Sequence, residues 1–76
     1  MVKFRATHEI VVPGPQSTLV IPVMLSQGDL WQRSEYERGV PFPMWKLSDG
    51  QLEFRHGAMP TGASLRDRLK RARLLP

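Results

Sequence analysis

The segment MWKLSDGQLEFR, residues 44–55, constrains the fold of this chain more than any other stretch. Its Asp49-Gly50 dipeptide is typical of the two-residue turn of a β-hairpin. Three cross-strand pairs follow from such a turn: Leu47 with Leu52, Trp45 with Phe54, and Lys46 with Glu53. Two apolar pairs would then share the core face and one ion pair would face water. Because a slip of one residue would reverse both faces, pattern and turn predict a single register.

A second hairpin is predicted at the N-terminus. Residues 2–12 place apolar side chains mainly at even positions, which indicates a strand with its even face buried. Residues 13–18 (PGPQST) favour a turn, and residues 19–25 (LVIPVML) resemble a second strand. Within that strand Pro22 lacks an N–H group, which favours an edge position or a bulge.

Two helices are expected from capping patterns. Ser26 followed by Asp29 has the spacing of a helix start, and Gly39 suits a helix stop. Ser64 followed by Asp67 repeats the start pattern near the C-terminus, and we expect that helix to end near Arg73. At about eleven residues it needs a surface to pack on, since isolated helices shorter than ~12–15 residues are marginal in water.

The predicted fold is therefore a small single α+β domain made of antiparallel β-hairpins, one short helix and a C-terminal basic helix. The expected element order is β-β-α-β-β-α. We divide the chain into a compact body, residues 1–63, and a basic C-terminal helix or tail, residues 64–76. A chain of 76 residues buries only about 60% of the surface that its unfolded form exposes, so we expect a thin core.

The formal net charge of +4 is confined to residues 64–76. In residues 1–63 six cations are matched by six acids, whereas the last thirteen residues carry one acid, Asp67, and five cations. These five cations, called the basic segment below, are Arg66, Arg68, Lys70, Arg71 and Arg73. A neutral body with a cationic end predicts contact with a nucleic acid backbone or another acidic surface.

Composition argues against most enzyme classes. The chain has no cysteine, which excludes thiolate catalysis and thiolate zinc ligands and fits a reducing cytoplasm. Its two histidines, His8 and His56, have no second ligand at zinc-type spacing, and no serine lies in a nucleophile elbow. The longest apolar run, residues 19–25, is far below the ~20 residues that span a bilayer. We expect a cytoplasmic, monomeric, non-enzymatic protein without cofactor, metal or membrane attachment.

Three aromatic residues in the middle of the chain are candidate anchors of a protein interface: Trp31, Tyr36 and Phe42. Basic residues lie near them in sequence, so stacking on single-stranded nucleic acid is an alternative role. The basic segment can neutralise at most about five phosphates, which gives weak binding of ~10⁻⁴–10⁻⁶ M without sequence preference. A division of labour follows, in which the body docks on protein and the basic segment contacts nearby nucleic acid.

The stretch FPMWKLSDGQLEF, residues 42–54, resembles the wing of small winged-helix excisionases, with a proline-rich entry, a turn and an aromatic strand. That resemblance implies direct DNA binding as an accessory factor. In size, charge and lack of cysteine the chain also looks like the small regulators that bacteriophages and mobile elements encode to bind host machinery.

Three hypotheses result. The leading one is a regulatory binding protein that docks on a large nucleic-acid-handling assembly, with the transcription machinery (RNA polymerase) as the specific partner. The second is a winged-helix-like DNA-binding accessory factor of the excisionase type. The third is a structural or assembly protein of a virion, which would form stable homo-oligomers.

Overall fold

The computed structural model of the chain describes residues 3–55 and 63–76, without the side chains of residues 63–65. Its elements, in chain order, are β1 (His8–Val12), β2 (Leu19–Ser26), β3 (Asp29–Trp31), α1 (Arg33–Arg38), β4 (Trp45–Ser48), β5 (Gln51–Phe54), α2 (Ala63–Lys70) and β6 (Arg73–Leu75). The strands form one antiparallel sheet in the order β5-β4-β3-β2-β1-β6. The domain is α+β in the broad sense, but it contains more sheet than predicted. His56 and the rest of residues 56–62 lie outside the described part.

The hairpin of β4 and β5 has the predicted register. Trp45 pairs with Phe54, Lys46 with Glu53 and Leu47 with Leu52. Asp49 and Gly50 both have positive φ, 52° and 76°, as a type I′ turn requires. The rings of Trp45 and Phe54 meet edge to face with 4.5 Å between centroids. The predicted register is therefore confirmed. It could be predicted because the turn and the pairs all involve residues that are close together in the sequence.

The N-terminal hairpin is also confirmed, but its first strand is shorter than predicted: among the described residues of the predicted strand 2–12, residues 3–7 are not strand and β1 begins at His8. Residues 8–12 pair with residues 19–23, and Ile10 and Val12 are buried on the even face. Pro22 lies opposite Glu9, whereas β3 pairs only with residues 24–26 of β2. Within the described chain, the stretch that contains Pro22 therefore has a strand on one side only, which accommodates a residue without an N–H group.

The predicted helix start at Ser26 and Asp29 is wrong. Gln27 and Gly28 both have positive φ, 52° and 84°, and form a tight turn that joins β2 to β3. Helix α1 begins later, at Arg33, after the N-cap residue Gln32. It ends as predicted at Gly39, which has a left-handed φ of 68°. Leu30, on the extra strand, is completely buried and pairs with both Leu25 and Trp45, a contact that no helix start could supply.

The predicted end of the last helix, near Arg73, is also wrong. Helix α2 ends at Lys70, and Arg73–Leu75 forms β6 along the free edge of β1. Leu74 lies opposite Ile10 and packs on the core. A helix continued through Arg73 would leave that edge of β1 unpaired and Leu74 without its apolar neighbours. Residues 64–76 thus contribute a strand to the sheet.

The core lies on one face of the sheet. Its buried members are Ile10, Val12, Val23, Leu30 and Trp45. Leu69 of α2, Ala72 and Leu74 pack against this cluster, so the C-terminal elements help to cover it.

The opposite face carries a second, smaller cluster beside α1. Met24 pairs with Trp31 across β2 and β3, and successive residues of a strand point to opposite faces. Tyr36 of α1 places its ring 6.1 Å from that of Trp31 and 6.2 Å from that of Phe4, measured between centroids. The N-terminal segment is therefore held against α1 by aromatic contact.

Candidate functional site

The basic segment is held on regular structure. Four of its residues lie on α2 or in the turn that follows, and Arg73 lies on β6. Because Leu69, Ala72 and Leu74 pack on the core, the helix and strand are attached to the body through their apolar sides. The cations therefore occupy the outward sides of elements whose position the core determines.

Four of the five cations are exposed: Arg66, Lys70, Arg71 and Arg73. Arg68 is half-buried, and its Nε donates a hydrogen bond to the carbonyl oxygen of Pro13 at 3.3 Å. In residues 3–55 and 66–76, no carboxylate oxygen lies within 4.0 Å of a nitrogen of these cations. Their charge is consequently available to an external anion.

A shallow surface groove of about 470 Å³ separates α2 from the loop after β1. Pro13, Gly14 and Pro15 line one side, and Asp67, Arg68 and Arg71 line the other. The Arg68 hydrogen bond crosses the groove and fixes the loop to the helix. Gly14 is required at this crossing, since a Cβ atom there would lie 2.6 Å from Nη2 of Arg68 and 2.5 Å from the carbonyl oxygen of Ser17.

Of the three candidate aromatic anchors, Phe42 has the most exposed side chain, at 66%. The guanidinium of Arg55 lies over its ring, 4.9 Å from the centroid, and also forms an ion pair with Asp29. Met44, two residues further on, is 40% exposed, while Pro43 between them is buried. The guanidinium of Arg55 therefore packs on the ring of Phe42, and the ion pair with Asp29 holds that guanidinium in place.

Trp31 and Tyr36 have different surroundings. Both are half-buried, and they contact each other in the cluster beside α1. Most of their surface is used in holding α1 and the N-terminal segment to the sheet. Among the described residues, the ring of Phe42 makes no contact with the ring of Trp31 or Tyr36.

Two groups of interest were missed by the sequence analysis. Lys3 and Arg5 were counted there only as cations balanced by the acids of the body, yet both are exposed and have no ion-pair partner among the described side chains. Their odd positions in the alternating N-terminal segment, opposite the buried even face, were the sequence signal that could have identified them as exposed. Arg55 was likewise counted only in the charge balance, because its contact with Phe42 joins residues thirteen positions apart.

The described residues contain no group of three or more histidine and acidic side chains that could hold a metal ion. His8 is half-buried, and its Nδ1 lies 2.9 Å from Oγ1 of Thr7. That hydroxyl also accepts a hydrogen bond from the main-chain N–H of Leu25 at 2.9 Å. No helix in the described part of the chain is long and apolar enough to cross a membrane.

Comparison with protein-family models, with curated proteins and with solved structures found no significant match for this chain.

Proposed function

We propose that this protein is a non-enzymatic regulator that docks on a nucleic-acid-handling assembly, such as the transcription machinery, with its basic segment against nucleic acid. One observation carries the proposal: Arg66, Lys70, Arg71 and Arg73 are exposed, have no ion-pair partner among the described side chains, and lie on elements attached to the core. Cations presented in this way keep their full attraction for phosphate groups.

A protein contact is part of the proposal because phosphate contacts alone are weak. Five cations bound to five phosphates give sequence-independent binding of about 10⁻⁴–10⁻⁶ M at physiological salt. Phe42 and Met44 supply an exposed apolar surface, and Arg55 holds the ring of Phe42 in place. Large apolar side chains that are already ordered before binding are typical energetic centres of protein interfaces.

Neither alternative hypothesis gains a specific supporting observation. The excisionase-type accessory factor needs a helix that enters the major groove. Helix α1, which precedes the wing-like hairpin, has six residues, and two of them, Glu35 and Tyr36, are directed into protein contacts. A virion assembly protein would form stable oligomers, which light scattering on the purified protein would detect at high concentration.

The basic segment is tested by neutralising three of its cations on and after α2. The triple variant Arg66→Gln, Lys70→Gln, Arg71→Gln leaves Arg68 and its hydrogen bond intact. Its affinity for purified RNA polymerase bound to DNA is measured over a series of salt concentrations. Each lost phosphate contact should reduce the slope of log K against log salt by about 0.9, so we expect a reduction of up to about 2.7. Affinity at low salt should fall together with the slope.

A matched control removes the same charge from the body. The variant Arg33→Gln, Arg38→Gln, Lys46→Gln also loses three cations but retains the basic segment. If both triple variants change affinity and slope equally, net charge alone explains binding and the proposed role of the segment is wrong. The variant Phe42→Ala tests the proposed protein contact by itself. It should weaken binding to polymerase and leave binding to free DNA unchanged.

Affinity capture from a bacterial lysate, with and without nuclease, identifies the partner. Under the proposal, a protein assembly is retained after nuclease treatment and Phe42→Ala reduces its recovery. Complete loss after nuclease, together with sequence preference in a mobility-shift assay, would instead favour direct DNA binding.

A further inference from the structure

A second cationic site lies away from the basic segment, where the N-terminal residues pass the end of β2 beside α1. It is an open hollow of about 540 Å³. Lys3, Arg5, Thr7 and Ser26 contribute its polar lining, and Met24 and Tyr36 contribute apolar and aromatic surface. No acidic side chain lines it. Its size falls within the range of about 300–1,000 Å³ that is typical of small-molecule pockets.

The main chain that carries the two cations is fixed on both sides. Phe4, between Lys3 and Arg5, packs against the ring of Tyr36, and the guanidinium of Arg33 lies 5.1 Å from the centroid of its ring. At the other end, the N–H of Thr7 donates to the carbonyl oxygen of Val23 at 2.9 Å. Contacts within the protein therefore hold the main chain of this segment, which lowers the entropy cost of ordering it on binding.

The two charges in the hollow have no counterion within the part of the chain that the structure describes. Lys3 and Arg5 are exposed, and no carboxylate among the described side chains lies within 4.0 Å of their nitrogens. Two cations and a serine around one hollow suit a phosphoryl group, which carries up to two negative charges and several acceptor oxygens. Met24, which is only 9% exposed, and the half-buried Tyr36 form a small apolar wall of the hollow, which suits the edge of a flat, largely apolar group attached to that phosphoryl.

We propose that this hollow binds one phosphorylated nucleotide unit, with its phosphoryl group on Lys3, Arg5 and Ser26 and its base or sugar against Met24 and Tyr36. The unit is a free mononucleotide, a phosphate monoester with up to two negative charges, or one residue of a single-stranded nucleic acid, a diester with one. Both present phosphate oxygens joined to a sugar and a base. The site is separate from the basic segment and does not depend on the function proposed above.

The test uses the full chain labelled with ¹⁵N and four probes: inorganic phosphate, adenosine, adenosine 5′-monophosphate and a short single-stranded oligo(dA). We expect saturable chemical-shift changes with the monophosphate, concentrated in residues 3–7 and 24–27 and in Tyr36. Phosphate and adenosine alone should each bind at least tenfold more weakly. Tighter binding of oligo(dA) at the same residues would assign the unit to a nucleic acid strand, and equal binding would assign it to the free nucleotide.

Variants test whether the residues that line the hollow bind the monophosphate. Lys3→Gln with Arg5→Gln should weaken monophosphate binding at least tenfold, and Ser26→Ala should weaken it severalfold. The charge-matched control Arg38→Gln with Lys46→Gln should change it less than threefold, as should the triple variant of the basic segment. Unchanged monophosphate binding in the triple variant would separate this site from the proposed function, because that variant removes only cations of the basic segment. A thermal melt first establishes that each variant is folded.

Three results would overturn the proposal. The first is the absence of saturable shifts at residues 3–7. The second is an equal loss of binding in the charge-matched control, which would reduce the effect to net charge. The third is full displacement of the monophosphate by a short polyglutamate peptide at equal concentration, which would make the site a general receptor for carboxylates.

Discussion

The carboxylate of Glu35 accepts a hydrogen bond from the main-chain N–H of Met44 at 2.9 Å, which joins α1 to the segment that leads into β4. Its other oxygen accepts from the N–H of Gln32, the N-cap residue of α1, at 3.1 Å. Glu35 is only 7% exposed, and among the described residues it is the one charged residue that is buried. One side chain thus satisfies two main-chain donors from different parts of the chain.

Replacing Glu35 should be among the costlier changes in this protein. Glu35→Ala leaves two donors without their acceptor, and we expect the free energy of unfolding to fall by about 2–4 kcal/mol. Glu35→Gln keeps one acceptor oxygen and should lose less. Urea denaturation followed by tryptophan fluorescence measures both. Glu37→Ala is the control, since Glu37 is exposed and forms only a surface pair with Arg33 at 3.6 Å. Equal losses for Ala at both positions would contradict the structural role of Glu35.

The ion pair of Asp29 and Arg55 should show strong energetic coupling. Each side chain is only 27% exposed, and Nε of Arg55 is buried with no hydrogen-bond partner in the described structure. A double-mutant cycle with Asp29→Ala and Arg55→Ala should give a coupling energy of about 0.5–3 kcal/mol. The pair of Lys46 and Glu53, which is more exposed, is the matched comparison and should couple by less than about 1 kcal/mol. Coupling that is no larger for the first pair would contradict this account.

Gly14 should be intolerant of a side chain. In Gly14→Ala the new methyl group would overlap both the carbonyl oxygen of Ser17 and the side chain of Arg68. We expect a loss of stability of about 1–3 kcal/mol, which is typical of overpacking. In an Arg68→Ala background one of the two overlaps is absent, so the penalty should be smaller but not zero. Chemical denaturation of the four proteins in this cycle measures the effect. An unchanged penalty would mean that Arg68 does not lie over the loop.

The attachment of β6 should depend on Leu74 and not on Leu75. Leu74 packs on the core opposite Ile10, whereas Leu75 is exposed. Leu74→Ala should destabilise the protein by about 2–3 kcal/mol, in the lower part of the range for buried leucines because the residue is only partly buried. Leu75→Ala should cost less than about 1 kcal/mol.

Hydrogen exchange locates the effect of these two changes. Leu74→Ala should accelerate exchange of amides in β6 and along the facing edge of β1, while the β4–β5 hairpin keeps its protection. If Leu75→Ala accelerates the same amides as strongly, the proposed orientation of β6 is wrong.

The features that depend on residues close together in the chain follow from the amino-acid pattern alone. The Asp49-Gly50 turn and its cross-strand pairs, the buried even face of β1 and the stop of α1 at Gly39 are all decided within about a dozen residues. The concentration of charge in the basic segment is also a property of sequence alone. In each of these cases backbone preference and side-chain pattern favour the same local structure.

The other features depend on contacts between residues that lie far apart in the sequence. Residues 26–29 suit both a helix start and a tight turn, and the pairing of Leu30 with Trp45 selects the turn. The three residues of β6 have too short a pattern to predict a strand, and they become one because β1, more than sixty residues earlier, offers a free edge. The support of Phe42 by Arg55 and the hollow around Lys3 and Arg5 arise in the same way. In all four cases the deciding contact joins residues at least thirteen positions apart, by apolar burial, strand pairing or packing of side chains, and a local pattern carries no record of which distant residue will meet it.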